Sequence, residues 1–293
     1  MFEIKKLKGN TFYFEAFSNV GIYAPDGKNA LLTDACDHPR MVKSLDNQLG
    51  EMGFSVSCII DTHGHVDHIC GNKFFQQKYG CRLFSSEKEQ AFIKYPSLES
   101  EFYYAGVDVK KTNNPYLLTE PSVTELIDRK NPPMGVEIVE LPGHGFEMIG
   151  VITGDNVFFM ADSIVSAKTW DEYRLPFFNN VNESIATLEK VKGIKADIYV
   201  PAHASPAESI EELADYNIKM FKEKKELTLS LCEGRSFDMI FEEYAKIEGF
   251  KIRADRYPMF AVMVRNLLQS LVEDEKIHAV YDNHRLIYEL KQK

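Results

Sequence analysis

The stretch "DTHGHVDHICGN" (residues 61–72) places three histidines and two aspartates in its first eight positions. It follows "SVSCII" (55–60), a nearly continuous apolar run that fits a buried strand. The histidines therefore sit where a strand ends. His63 and His65 are spaced i, i+2, and Asp67 and His68 follow at once. Imidazole is the commonest biological metal ligand, and a carboxylate suits borderline-hard divalent ions. A tight turn after a strand can aim His63 and His65 at one ion and swing Asp67 and His68 toward a second. The competing reading is a hydrogen-bonded polar loop, and only context elsewhere in the chain can separate the two.

That context recurs at three later strand ends. His144 lies in "ELPGHG" directly after "VEIVEL", Asp162 in "FFMADS" after "NVFFM", and His203 in "YVPAHASP" after "ADIYV". Singly, each reads as a turn, a cap or a hydrogen-bonded loop residue. Together they bring five of the chain's eight histidines to strand ends, the edge where open α/β sheets place their sites.

The first third reads as short strands, "FEIKKL", "TFYFEAF", "NVGIYA" and "NALLTD", punctuated by Gly-Asn and Asp-Gly turns. A helix with Met41, Leu45, Leu49 and Met52 on one face comes next, and another starts near Cys70 and runs through "NKFFQQKYG". Residues 86–133 mix Pro, Asn and aromatics without a clean period and read as an insert of small helices and loops. Strand signals return in "VEIVEL", "MIGVIT", "NVFFM" and "ADIYVP", with a helix carrying Ile185, Leu188 and Val191 before the last. After Pro206 the texture is helical, ending in a hairpin, "HAVYDNHRLIYEL", expected to turn at Asp282-Asn283. The division expected is a domain over 1–206 and an extension over 207–293, with no tandem repeat.

The chain of 293 residues has a formal charge of −10. That balance argues against a general nucleic-acid binder, which needs a surplus of Lys and Arg. No run approaches the ~20 apolar residues of a membrane span, and the N-terminus lacks the apolar core of a signal peptide. The five cysteines are odd in number and never form a C-x-x-C pair, which suits free thiols in a reducing compartment. A cytoplasmic protein is expected.

At these residues the chain resembles the metallo-β-lactamase superfamily. "THGHVDH" looks like that family's T-H-x-H-x-D-H signature, and "LPGH", "ADS" and "PAH" follow in the family's order. The resemblance covers about residues 10 to 206. It implies an αββα four-layer sandwich with a metal site at one edge, extended here by a helical, winged-helix-like C-terminal region. By the same resemblance His63, His65 and His144 would hold one metal, Asp67, His68 and His203 a second, and Asp162 would bridge them. The ions implied are two divalent metals, Zn²⁺ first and iron or manganese as alternatives. Asp67 would also orient the nucleophile or pass a proton to the leaving group. Asp34, ending "NALLTD", matches a position that supports such sites from behind.

The implied activity is a dinuclear metallohydrolase using a metal-bridging hydroxide on an ester, thioester, lactone or phosphodiester of a small metabolite. An iron-dependent persulfide dioxygenase is the first alternative, and a low-turnover effector-binding protein on the same fold is the second. After His144, "GFEMIG" replaces the more familiar Thr-Pro-Gly-Ser run, so no branch of the family is assigned. The tail helix "PMFAVMVRNLLQSLVED" offers only Arg265 as a basic side chain, too little for groove binding. A lid, a homodimer contact or a pocket wall is the expectation for the tail. Pocket candidates are the aromatics Phe102, Tyr103 and Tyr104, the loop "SAKTWDEYRLPFF" after Asp162, and Lys168 for an anionic substrate group. No nucleic-acid or membrane partner is expected.

Overall fold

Period-two alternation sorts neighbouring side chains into different layers. Leu31 and Ile60 face the space between two sheets, whereas Leu32 and Ile59, one position along, face helices. Val157 and Phe159 likewise point between the sheets, and Phe158 points to the opposite helical face. Strands buried on both faces account for the near-continuous apolar runs in the sequence.

The structure is a computed structural model that describes residues 2–103, 119–253 and 256–291. The first sheet contains β1 (Ile4–Lys8), β2 (Thr11–Phe14), β3 (Val20–Tyr23), β4 (Asn29–Thr33), β5 (Ser55–Ile60), β6 (Arg82–Ser85) and β7 (Glu125–Leu126), side by side in that order. Pairing is antiparallel from β1 to β4 and parallel from β4 to β7. Parallel neighbours need crossovers. The helix Pro39–Glu51 carries the first and Asn72–Tyr79 the second. The second sheet holds β8 (Glu137–Glu140), β9 (Ile149–Ile152), β10 (Val157–Phe159) and β11 (Ile198–Val200), in the order β11-β10-β9-β8. Helices cover the outer face of each sheet, giving the expected αββα sandwich.

Local readings differ from the structure in several places; the stretch read as a loop after Asp162 holds the helix Ala167–Tyr173, and the strand Arg82–Ser85 has no counterpart among the expected elements. Helix Pro39–Glu51 buries Val42, Leu45 and Leu49, but Met52 lies just beyond its end and is exposed. The helix expected from near Cys70 is Asn72–Tyr79, and a separate short helix, Val66–Ile69, precedes it. Between them Cys70 N and Gly71 N turn away to donate to Cys36 O and Ala35 O. The C-terminal hairpin joins β13 (Ile277–Asp282) to β14 (Arg285–Leu290) through Asn283 and His284, both at positive φ. Asp282 stays in the strand opposite Arg285, leaving a two-residue turn of the type that requires two left-handed residues.

The C-terminal region shares the sandwich's core. One continuous apolar cluster runs from Phe158 and Met160 through Trp170 and Leu188 to Phe221, Tyr244 and Leu267. The helix Glu211–Ser230 supplies its centre, where Phe221 meets Phe178 and Trp170 with ring centroids 4.4 and 5.3 Å apart. Helices Phe237–Glu248 and Tyr257–Glu273, together with a small sheet in which β12 (Arg235–Ser236) pairs with β14, complete the winged arrangement. Among the described residues no helix is long and apolar enough to cross a membrane.

Asn217, on the helix Glu211–Ser230, ties this region to the loop after β10. It is almost fully buried. Its side chain accepts from Trp170 Nε1 at 2.9 Å and Val165 N at 3.3 Å, and donates to Val165 O at 2.9 Å. Asn217→Ala would strand two buried donors, so it is expected to lower the unfolding free energy by about 2–3 kcal/mol in urea titrations. A loss under about 0.5 kcal/mol would show that this hub does not hold the loop.

Candidate metal centre

Asp34, at the end of β4, organises the approach to the site. Its backbone is left-handed at φ 65°, a conformation that costs a non-glycine residue roughly 1–3 kcal/mol. The surroundings hold it there. Its carboxylate accepts from Thr62 N at 2.7 Å, from Thr62 Oγ1 at 2.9 and 3.0 Å, and from His68 Nδ1 at 2.8 Å. The last bond fixes the His68 tautomer and leaves Nε2 facing the site, where Ser18 Oγ lies 3.0 Å away. Backbone carbonyls do the same for two other rings: Phe177 O accepts from His144 Nδ1 and Phe17 O from His203 Nδ1, both at 2.9 Å. Such outer partners orient ligand rings and raise their basicity.

Two buried glutamates, which no sequence pattern singled out, shape the histidine loop. Glu89 accepts from Gly64 N at 2.9 Å and from Glu147 N at 2.8 Å, clamping the His63–His65 turn to the loop that carries His144. Glu99 accepts from Val66 N at 3.2 Å at the start of the short helix Val66–Ile69. Their partners lie 25 to 58 residues away in sequence, so no local signal marks them. Gly64 is needed for close approach, because a Cβ there would lie 2.5 Å from Phe92 Cβ.

The loops bring all seven predicted donors together in two groups: His63, His65 and His144, and then Asp67, His68, Asp162 and His203, with ligand atoms in each group within 4.8 Å of one another. In the first, His65 Nδ1 lies 3.0 Å from both His63 Nε2 and His144 Nε2. In the second, Asp162 Oδ1 is 3.2 Å from His68 Nε2, and Asp162 Oδ2 is 3.1 Å from His203 Nε2. That same Oδ2 is 3.4 Å from His144 Nε2, so Asp162 spans the two groups. Asp67 Oδ2 completes the second at 3.4 Å from His203 Nε2 and 3.7 Å from His68 Nε2. Buried Asp162 Oδ1 has no hydrogen bond, and an acceptor in that state is costly unless a cation or proton donor serves it. Three imidazoles beside a two-imidazole, two-carboxylate set fit divalent metal ions.

Electrostatics divides the groups. Burial pushes His63 well below the ordinary imidazole value, with His68 and His65 adding to it. Burial and the nearby His144 ring lower His65 to about 3, and burial also lowers His144. In the second group burial opposes the charge on His68 and His203, but carboxylates overcome it. Asp162, Asp67 and Asp34 raise His68 well above its ordinary value, and Asp162 and Asp67 bring His203 to about 10. Burial would likewise raise Asp67 and Asp162, but the charged His68 and His203 hold both below the carboxylate range. Without an ion, three rings are neutral and two carry protons.

The remaining candidates fall as follows. Lys168 stands on the rim of the cavity over the site, 81% exposed, with Nζ 3.6 Å from Glu172. Tyr104 lies outside the described residues. Phe102 packs edge-on against Phe146 instead of lining the cavity. Trp170, on the helix Ala167–Tyr173, belongs to the core, whereas Leu175, Pro176 and Phe177 just after that helix do line the cavity. Cys70 is in neither donor group, and burial pushes its thiol to about 11. Asp61 is buried and accepts from Asn72 Nδ2 at 2.7 Å, a structural role.

A family model described as the metallo-beta-lactamase superfamily matches residues 14–203. A hydroxyacylglutathione hydrolase from Bradyrhizobium sp. (strain ORS 278) is 28% identical over 120 residues, covering 41% of this chain and 38% of that protein. The chain thus spans well under half the length of that relative. The beta-lactamase-like protein 2 homolog of Drosophila melanogaster is 21% identical over 254 residues, 86% of this chain and 81% of its own length. A solved metallo-beta-lactamase family protein from Thermus thermophilus superposes with a TM-score of 0.70 at 16% identity, covering 94% of each chain. A beta-lactamase domain protein from Burkholderia ambifaria gives 0.71 at 13% identity, over 99% of this chain and 94% of its own. At such identities the likeness is one of fold.

Two outcomes are expected. Asp34→Asn should weaken metal affinity roughly 10–100-fold in chelator competition, and unchanged affinity would mean that the His68 contact does not orient the ring. Because His203 is raised to about 10, its protonated form stabilises the metal-free fold fully below about pH 6.5, and that contribution is lost as pH rises through about 10. An ion entering the second group near pH 7 must displace the proton. Calorimetry in buffers of different ionisation enthalpy should therefore show net proton release, and apparent affinity that climbs with pH. Binding with no proton release would contradict this charge assignment.

Proposed function

The chain belongs to the metallo-β-lactamase superfamily, and from that premise we propose that it is a metal-dependent hydrolase of an ester, thioester, lactone or phosphodiester bond in a small metabolite. The observation that carries the proposal is Asp162, whose two oxygens face His68, His203 and His144 at 3.1–3.4 Å and so join the two donor groups. This arrangement suits two ions, and imidazole-rich donors favour Zn²⁺ over iron or manganese. When bound, such a pair supplies an ionised water at neutral pH and positive charge beside a developing oxyanion.

The chain's own side chains then account for orientation and proton transfer. His65, His144, Asp67, Asp162 and His203 form the floor of a cavity of about 720 Å³. Asp67 is the more accessible carboxylate, with its side chain 26% exposed against 5% for Asp162. It is the group best placed to orient an attacking water and to return a proton to the leaving atom. Asp162 is enclosed among three rings and acts as a ligand. Hydrogen bonds to Phe177 O and Phe17 O hold the His144 and His203 rings while the charge in front of them changes.

Metal analysis of the purified chain, paired with a screen of chromogenic esters, thioesters, lactones and phosphodiesters, tests the reading. Two divalent ions per chain and turnover of at least one class are expected. His63→Ala and Asp162→Asn should each lose metal and lower kcat by ~100-fold or more. A chain that holds no transition metal, and whose His63→Ala variant matches the wild type, would overturn it. One iron per chain with oxygen uptake would instead indicate a dioxygenase.

A further inference from the structure

We propose that the substrate carries an apolar, uncharged arm, seated on a wall to which the C-terminal extension contributes, and that the site disfavours anionic substrates. The inference rests on the hydrolase reading, and it narrows that reading to neutral acyl esters, thioesters or lactones.

The chemistry of the cavity walls supports this. Phe17 comes from the loop after β2, Leu175 and Phe177 from the loop after the helix Ala167–Tyr173, and Met259 from the helix Tyr257–Glu273. Phe17 is 58% exposed although its ring centroid lies 5.0 Å from that of His203. Tyr173, on the same rim, is 37% exposed. Large apolar side chains left accessible beside a cluster of polar donors are the usual mark of a ligand pocket. Their surfaces become covered when an apolar group lies on them.

Charge points the same way. Among the described residues that line the cavity, Lys168 is the only lysine or arginine, and its ammonium faces Glu172. Glu15 is paired with Lys5 Nζ at 2.7 Å and Glu172 with Lys168, so the charges on the walls are compensated and no lysine or arginine among the described lining residues is left unpaired. Among the described residues, a substrate arm bearing carboxylates or phosphates would find no arginine fork and no free ammonium on these walls to pair with it. Positive charge at the floor serves the scissile group, and the walls select the rest of the molecule. Lys168, expected from sequence to meet an anionic group, is here one partner of a rim ion pair.

The test compares p-nitrophenyl acetate, p-nitrophenyl hexanoate and the mono-p-nitrophenyl ester of adipic acid, with the zinc-loaded full chain. Hexanoate should exceed acetate in kcat/KM by ~10-fold or more, since each buried methylene is worth a substantial factor. The adipate half-ester, matched in length but anionic, should fall at least ~10-fold below hexanoate. Met259→Ala should shrink the hexanoate-to-acetate ratio several-fold, the signature of lost apolar contact as distinct from lost catalysis. An adipate half-ester turned over as well as hexanoate would overturn the inference and leave the hydrolase reading intact. If none of these esters is hydrolysed, the thioester, lactone and phosphodiester screen decides the hydrolase reading, and calorimetry with hexanamide and acetamide decides the inference separately. Tighter binding of hexanamide, weakened by Met259→Ala, sustains it, and equal affinities overturn it.

Discussion

Five imidazoles and two carboxylates share one end of the sandwich at distances of 3.0–3.7 Å. Water cannot solvate groups packed this closely, so each must be neutral, paired or bound to a cation. The chain divides the problem. His63, His65 and His144 are kept neutral by burial, while His68 and His203 share protons with three carboxylates. Much of the surrounding structure holds that arrangement in place. Asp34, Cys36 and Ala161 sit in left-handed backbone at the strand ends beside it, strain that persists only where the fold over-determines it.

The C-terminal region is bound into this arrangement. Its helices extend the same apolar cluster that lies under β10, and Asn217 fastens the loop that follows Asp162. Met259 then reaches the cavity wall. A segment without donor residues therefore acts on the site in two ways, by stiffening a ligand loop and by shaping the space above it. Burying Phe221 and Leu267 in that cluster, at roughly 1.5–3 kcal/mol per side chain, gives the attachment ample stability.

Ligand chemistry was legible in the sequence because it is local. His63, His65, Asp67 and His68 sit on one turn, and His144, Asp162 and His203 each follow an apolar run that reads as a buried strand. Glu89 and Glu99 were not legible. Each binds backbone amides brought near by the fold, and a glutamate in "SSEKEQAF" or "PSLESEF" looks like any solvated helix residue. Lys168 drew notice as a lone lysine beside the site, and the structure adds that its neighbour one helical turn away is Glu172. The hairpin turn shifted by one residue because Asn283 and His284, not Asp282, adopt the left-handed backbone.

By itself the sequence determined most strands in their order along the chain, the burial of the run ending at Ile60, and the residues that end at the site edge. Alternation and strand-end position are properties of a few consecutive residues. Tertiary structure alone decided which oxygen of Asp162 faces which ring, which carbonyls hold His144 and His203, and which rings are charged. It also decided that Phe17, Phe177 and Met259, from three distant segments, line one cavity. Those outcomes depend on distances of a few Å between segments far apart in the chain, where burial and Coulomb attraction compete and no local pattern records the result.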